Sequence, residues 1–408
     1  MSQQRTAGLG TNQEAVRRHN LGTLLRHVHG AGQLSRAELT TAMGLNRSTI
    51  AGLVAELGVL GVTRRAVPAS SRTGAGRPSA GVSLAHDGPY VIAVDLGVDR
   101  AVVAAVALGG DVLRRAQAPV DDGGEAWQVG AAVAGLIRQV VTDVPASSPL
   151  VGIGISVPGL VRRGDGLIRM APNLEWTDVS FGGIVLAALG LDIPVSLAND
   201  ANLGALAEHR RGAGVGIDDL IYISGNVGVG AGVIVGGVQL EGVGGYAGEM
   251  GHISFNPNGL PCHCGNIGCW ETEVGAYAIA DAISSPESGA IQLGEVLEAF
   301  AEAPAALRPA GTALGYGLAN IVNAFNPQMV VLGGHLGSLY TLVRAQVDAG
   351  LAARALPAAL ESVTVCLPGL GADSVLLGAA EIAFEPLFVD PVAALSGALV
   401  DVGSRLAG

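Results

Sequence analysis

The chain has 408 residues, four cysteines, and 35 acidic against 23 basic side chains, every basic one an arginine. That length accommodates two or three domains around a sizeable core; no stretch of about 18 uncharged apolar residues marks a membrane span, and no basic start followed by an apolar run resembles a secretion signal, so the expectation is a cytoplasmic protein with no membrane partner. The net charge of −12 conceals a division: residues 1–85 carry ten arginines against three glutamates, the remainder thirteen against 32 acids, which suits a head that meets a polyanion and a body that does something else.

Within the head, apolar residues recur at helical spacing from Gln13 onward (Val16, Leu21, Leu24, Leu25, Val28), and Gly30-Ala31-Gly32 ends this first helix. Ser35 followed by Glu38 forms a capping box for a second helix, SRAELTTAMG. Gly44 supplies a turn and Asn46 caps a third helix with Ile50, Leu53, Val54, Leu57 and Leu60 on its apolar face. The pattern is a helix-turn-helix. The start of its second helix would enter a DNA major groove, which makes Asn46, Arg47, Ser48 and Thr49 candidate contacts, with Ser35 and Arg36 at the start of the preceding helix. The same residues would also serve as ordinary caps and surface. The segment after Gly61 reads as a two-stranded wing with a flexible tip, whose Arg64, Arg65, Arg72 and Arg77 suit phosphate or minor-groove contact. A solvated linker would look similar.

From residue 86 strand-like runs, Gly-rich turns and helical stretches alternate, the pattern of an α/β domain. Tyr90–Asp95 is a strand, Gly97 a turn, and Ala101–Leu108 a second strand; a similar unit returns at LIYISGNVGVGAGVIVGG, residues 220–237. The echo predicts two lobes of related build. Asn199-Asp200-Ala201-Asn202 follows an apolar strand and precedes a helix, where an α/β crevice presents side chains to a ligand. A carboxylate there can take a hydroxyl proton or hydrogen-bond sugar hydroxyls; a helix cap is the alternative.

Cys262, Cys264 and Cys269 fall within eight residues, with His252 ten residues upstream of the first. Thiolates and imidazole are the ligand set of a closed, tetrahedral, structural Zn²⁺ site. Cys262 and Cys264 are too close to bridge each other, and His263 competes with His252 as the fourth ligand.

On these residues the chain resembles the ROK family of sugar kinases and sugar-responsive repressors, and from its winged head to near its C-terminus it looks like the transcriptional-regulator branch. The most specific segment is GGYAGEMGHISFNPNGLPCHCGNIGCWET, supported by PNLEW, NDAN and LGYGLANIVNAFNPQMVVLGG. The resemblance implies a winged helix-turn-helix (1–85) followed by a two-lobed, actin-like α/β domain of the sugar-kinase kind, with a small lobe at 86–200 and a large lobe at 201–408 whose last helix packs back on the small one. It implies that Asn199, Asp200, Glu249, His252 and Glu271 bind sugar hydroxyls with Asn173 as a neighbour, and that His252 also ligates the zinc. Operator DNA, a sugar or sugar derivative, and further copies of the chain in a homodimer or homotetramer are the partners implied.

Departures from the kinase pattern bear on activity. The family's kinases carry D-x-G-G-T-K, but here Asp95 is followed by Leu96-Gly97-Val98-Asp99-Arg100, and Asn226-Val227-Gly228 stands where a kinase has G-T-G. Both changes remove phosphate donors, so the expectation is a sugar-responsive repressor and not an enzyme. An ATP-dependent, glucokinase-like sugar kinase with a fused DNA-binding head, in which Asp200 is the base, is the alternative.

Overall fold

The structure, a computed structural model, describes residues 13–66, 81–120, 124–284 and 293–406. Helix α1 (Gln13–Ala31) runs on through Gly30 and buries Leu21, Leu24, Leu25 and Val28, while Val16 is exposed. A short strand β1 (Gln33–Ser35) leads into α2 (Arg36–Met43), whose capping box is complete: Ser35 Oγ accepts from Glu38 N at 3.2 Å and Glu38 Oε2 accepts from Ser35 N at 2.8 Å. Gly44, with φ of 64°, closes that helix, and Asn46 Oδ1 accepts from Thr49 N at 2.8 Å to open α3 (Arg47–Val59). Strands β2 (Thr63–Ala66) and β3 (Gly81–Leu84) pair antiparallel as the wing. β1 adds to β3 as a third strand, which the sequence did not announce because three residues between a glycine and a capped helix carry no periodicity.

The body holds two five-stranded sheets. The first consists of β4 (Tyr90–Leu96), β5 (Arg100–Ala107), β6 (Val112–Pro119), β7 (Leu150–Val157) and, beyond three short strands β8 (Leu160–Val161), β9 (Ile168–Ala171) and β10 (Trp176–Val179), β11 (Val195–Asn199). Its order is β11-β7-β4-β5-β6, parallel across β11-β7-β4 and antiparallel across β4-β5-β6. Helices α4 (Ala126–Val141) and α5 (Phe181–Leu189) belong to this part, and α6 (Asp200–Arg211) follows β11 directly.

The second sheet is built from β12 (Leu220–Gly225), β13 (Val229–Val235), β14 (Val238–Gln239), β15 (Met329–Gly334) and β16 (Thr364–Cys366). Its order, β14-β13-β12-β15-β16, is antiparallel across β14-β13-β12 and parallel across β12-β15-β16, the pairings of the first sheet read from its other end, so the repeat heard in the sequence is a repeat of topology. Around it lie α7 (Glu271–Val274), α8 (Ala276–Ala282), α9 (Leu293–Glu298), α10 (Arg308–Phe325), α11 (His335–Arg354) and α12 (Pro357–Ser362). No helix among the described residues is long and apolar enough to cross a membrane.

Helix α13 (Ser374–Val389) returns to the first sheet. Ile92, Val94 and Leu96 of β4 face the core shared with α4 and α5, whereas Val91 and Ala93, pointing the opposite way, pack with Ala379, Ala380, Ala383 and Phe384 of α13. That second core continues without a break into Leu21, Leu24, Leu25 and Val28 of α1 and into Leu39, Ile50 and Leu57. Two glycines permit the approach: a Cβ on Gly154 of β7 would lie 1.9 Å from Ala379 O, and one on Gly22 of α1 would lie 1.8 Å from Phe388 O. The head is therefore packed on the body through α13.

Candidate functional site

A cleft of about 1170 Å³ opens between the two sheets and is lined from both. Asn199, the last residue of β11, caps α6 by accepting from Asn202 N at 3.2 Å, and its Nδ2 donates to Gly159 O at 3.2 Å. Asp200 begins α6; its Oδ1 accepts from Ala201 N at 2.9 Å and its Oδ2 from Asn226 Nδ2 at 3.1 Å. Burial pushes the Asp200 carboxyl above its ordinary range in spite of these hydrogen bonds. Asp95 lies at the end of β4, accepts from Ser156 Oγ at 3.0 Å, and is pushed up to about 6 by burial. Asn173, in the one-turn segment Pro172–Leu174, lines the same cleft from the first lobe.

Glu249, His252 and Glu271 complete the lining from the second lobe. Nε2 of His252 is 3.9 Å from Glu249 Oε2, while its Nδ1 faces away toward Cys262 Sγ at 3.6 Å and Glu271 Oε1 at 3.6 Å. Glu271 Oε1 is also 2.9 Å from Cys262 Sγ, and Oε2 accepts from Val229 N at 3.3 Å. Six sequence-singled residues, Asn173, Asn199, Asp200, Glu249, His252 and Glu271, thus share one cleft.

His252, Cys262, Cys264 and Cys269 can hold a metal ion: one ligand atom from each lies within 4.8 Å of the others. Cys264 Sγ and Cys269 Sγ are 3.6 Å apart, close to the ~3.8 Å that tetrahedral metal–sulfur bonds of about 2.3 Å require. His263 is exposed and lies against the Tyr277 ring at 5.8 Å, outside this group. Trp270 anchors the loop, buried with Nε1 donating to Ala313 O of α10 at 3.1 Å.

Both glycine-rich turns border the cleft. Gly97 N bonds Arg100 O at 2.8 Å and Asn226 N bonds Gly228 O at 3.1 Å, so each turn is closed on itself, and Asn226 is turned toward Asp200. The sequence places Asn226 only in a phosphate loop, and nothing local announces its bond to Asp200, 26 residues away. His335, at the start of α11, carries no sequence signal either: it is buried, donates to Val274 O at 2.9 Å, and burial pushes its pKa below the ordinary histidine value.

At the head, Arg47 projects from the exposed start of α3, while the hydroxyls of Ser48 and Thr49 donate to Asn46 Oδ1 at 2.7 and 3.0 Å. Ser35 is occupied in its capping box. Arg36, Arg64 and Arg65 line a shallow depression of about 160 Å³ beside the wing; Arg64 Nε donates to Ser83 Oγ at 3.3 Å, and Arg36 Nε is buried without a hydrogen-bond partner. Arg72 and Arg77 lie outside the described residues.

The family model described as ROK family matches residues 91–385. The xylose repressor of Bacillus subtilis (strain 168) is 30% identical over 380 residues, spanning 92% of this chain and 97% of its own length. A solved structure described as a ROK family transcriptional regulator, homolog of the E. coli MLC protein, superposes with a TM-score of 0.74 at 25% identity, covering 97% of this chain and all of that one. A ROK family glucokinase from Streptomyces griseus, solved with glucose and AMPPNP, gives a TM-score of 0.60 at 27% identity and covers 72% of this chain and 98% of its own. The regulators match from head to body, whereas this kinase leaves more than a quarter of the chain unmatched.

Proposed function

The chain belongs to the ROK family, and on that premise we propose that it is a sugar-responsive DNA-binding repressor of carbohydrate-related genes. The observation that carries the reading is the joint between head and cleft. Helix α6 starts in the cleft at Asp200 and ends at Arg210 and Arg211, which bond Glu381 of α13; α13 in turn carries α1 of the helix-turn-helix. A sugar that draws the lobes together through Asn173, Asn199, Asp200, Glu249, His252 and Glu271 would shift α6 and α13 and with them the head.

Among the head residues, Arg47 and the cluster of Arg36, Arg64 and Arg65 are the DNA contacts we favour, with Arg72 and Arg77 as further candidates. Asn46, Ser48, Thr49 and Ser35 hold the helix starts and would touch DNA only in addition to that role. A homodimer would place two recognition helices in successive major grooves. Coupling of ~1–3 kcal/mol between sugar and DNA changes affinity by roughly 5- to 150-fold.

We assign Zn²⁺ to the cysteine cluster, since three thiolates and one imidazole suit it in a closed four-ligand site. His252 would ligate through Nδ1 and keep Nε2 for the cleft. The ion fixes side chains and takes part in no chemistry.

The test is fluorescence anisotropy on DNA fragments recovered with the protein, across salt and with a panel of sugars. Phosphate contacts by arginine predict a steep inverse dependence on salt, about 0.9 log units per tenfold salt for each phosphate neutralised. A flat profile, or an affinity that no sugar moves, would sink the proposal. Asp200 and the likeness to glucokinases favour a second reading as a sugar kinase; ATP-dependent turnover of a sugar, abolished by Asp200→Ala, would establish it instead.

A further inference from the structure

The chain passes between the two sheets twice. It leaves the first through α6 and the segment 212–219 that leads into β12, and it returns from β16 through the segment 367–373 that leads into α13. Helix α6 is packed on two sides. Ala201 and Ala205 lie in a core with Tyr222 and Ile234 of the second sheet, whereas Leu203 and Ala207, on another face, lie in the core that α13 shares with the head. The seam between the lobes runs where α6 meets α13.

Both crossings are fastened to one carboxylate. Glu208, fully buried near the end of α6, accepts on Oε2 from Ala213 N at 2.7 Å and Gly369 N at 2.8 Å, and on Oε1 from Leu370 N at 3.0 Å and Ser374 Oγ at 2.7 Å. Oε2 alone thus joins the outgoing crossing to the returning one, and Oε1 holds the first residue of α13. The crossings also approach backbone to backbone: a Cβ on Gly369 would lie 2.5 Å from Ala213 N, and one on Gly212 would lie 2.0 Å from Glu208 Oε2, so neither place admits a side chain. The returning crossing reaches the cleft, where Leu367, Pro368, Gly371 and Ala372 form part of the lining, and its Asp373 is paired with Arg115 of β6 at 2.5 Å.

Resting on the sugar-responsive reading, we infer that Glu208 is the positioning residue that passes lobe movement to the head. It keeps the two crossings together as one pivot, so that a change at the cleft turns α13, with α1 packed on it, as a rigid piece and is not absorbed by loose connections. A carboxylate suits the task because all four of its partners are donors. Glutamine keeps one acceptor oxygen and, in either orientation, sets its amide nitrogen against at least one backbone N–H. That change opens the pivot without touching the cleft's sugar-contact candidates or the arginines of the head.

The experiment measures, by fluorescence anisotropy, the affinity of the full chain for a DNA fragment recovered with the protein, with and without D-xylose, D-glucose or N-acetyl-D-glucosamine. The ratio of the two affinities is the coupling, and calorimetry gives sugar affinity in the absence of DNA. Glu208→Gln and Ser374→Ala are compared with the wild type and with Leu351→Ala, which removes buried side-chain volume from α11 outside the cleft lining. The expected result is a coupling ratio lowered by about threefold or more in Glu208→Gln, and lowered in Ser374→Ala, with sugar affinity and sugar-free DNA affinity within about threefold of wild type. Leu351→Ala should keep the wild-type ratio. A wild-type ratio in Glu208→Gln, or in Ser374→Ala should the first variant fail to fold, overturns the inference and leaves the sugar-responsive reading intact. A fall that Leu351→Ala shares does the same, because it reports lost stability and not the pivot. A wild type whose DNA affinity none of the sugars moves overturns that reading and this inference together.

Discussion

His29 of α1 and Glu381 of α13 meet in the interior, Nε2 to Oε1 at 3.0 Å, with each residue 3% exposed or less. Gly109 N donates to His29 Nδ1 at 3.0 Å, which leaves Nε2 to face the carboxylate, and Arg211 lies against the same Nε2. Arg210 reaches the other oxygen of Glu381 at 3.0 Å, Arg211 bonds the first, and Glu385 bridges Arg210 at 2.7 Å and Arg26 at 3.0 Å. The start of the head, the end of α6 and the last long helix are tied at one point.

Glu381→Ala is expected to destabilise the protein by about 3–5 kcal/mol, because it removes the buried carboxylate that Arg210, Arg211 and His29 share. Urea unfolding checks the size. Hydrogen exchange should show α1 losing protection more than α10, which lies in the other core.

Acid should loosen the same joint. Burial holds His29 below its ordinary pKa, and the histidine and arginines around Glu381 hold that carboxyl well below the carboxylate range. A histidine whose folded value is depressed binds fewer protons in the native state than in the unfolded one, so stability falls as pH drops below about 6.5; the glutamate adds a further loss below about 4.5. Facing these groups are Arg26, Arg210, Arg211 and Glu385, and the arginines stay charged throughout. Exchange of the α1 amides, corrected for intrinsic rate, should rise between pH 7 and pH 5, and the His29→Gln variant should lose that dependence.

Asp95 predicts the opposite sign. Its carboxyl is raised to about 6 by burial, so the native state holds a proton that the unfolded chain has released, and stability falls as pH rises from about 4 through 6. Asp95→Asn should therefore stabilise the protein at pH 7.5, by roughly 1–2 kcal/mol given the side chain's partial opening to the cleft, and leave it little changed at pH 4. Thermal melts at the two pH values decide the matter.

Cys264→Ser, or removal of metal with a chelator, should release the ion and lower sugar affinity roughly tenfold or more, as loss of the groups that orient a binding side chain commonly does. The reason is that His252 offers Nδ1 to the cluster and Nε2 to the cleft. Metal content by mass spectrometry and calorimetry with the responsive sugar test it together. Unchanged sugar affinity in the metal-free protein would separate cluster from cleft.

What the sequence disclosed was local. Ser35 with Glu38, and Asn46 before Arg47, are capping signals written within four residues, and both appear as bonds in the structure. The repeated strand-turn-strand unit foretold two sheets of one topology, and the cysteine spacing gathered its own ligand set. What escaped was distant. His29 looks like one more polar residue on α1, and its partner Glu381 is 352 residues away; Glu208 and Ser374 belong to separate helices. Neither periodicity nor spacing reports which helices touch, because that is fixed by how whole elements pack. The head suffers from the same blindness: a basic segment set against an acidic body reads as a separate domain, yet α1 shares its core with α13.

Gly22 gives that last point a practical edge. Because α1 lies within backbone contact of Phe388, the place where the chain passes from head to body is not the place where the packing divides. A body cut free at residue 86 would bare Phe384, Leu387 and Phe388 to water, and a foreign head grafted there would have to bring its own counterpart to Leu21, Leu24, Leu25 and Val28. Under the proposed function, reader and sensor form one packed unit, and a new DNA specificity would be sought by altering α3 in place, not by exchanging the head.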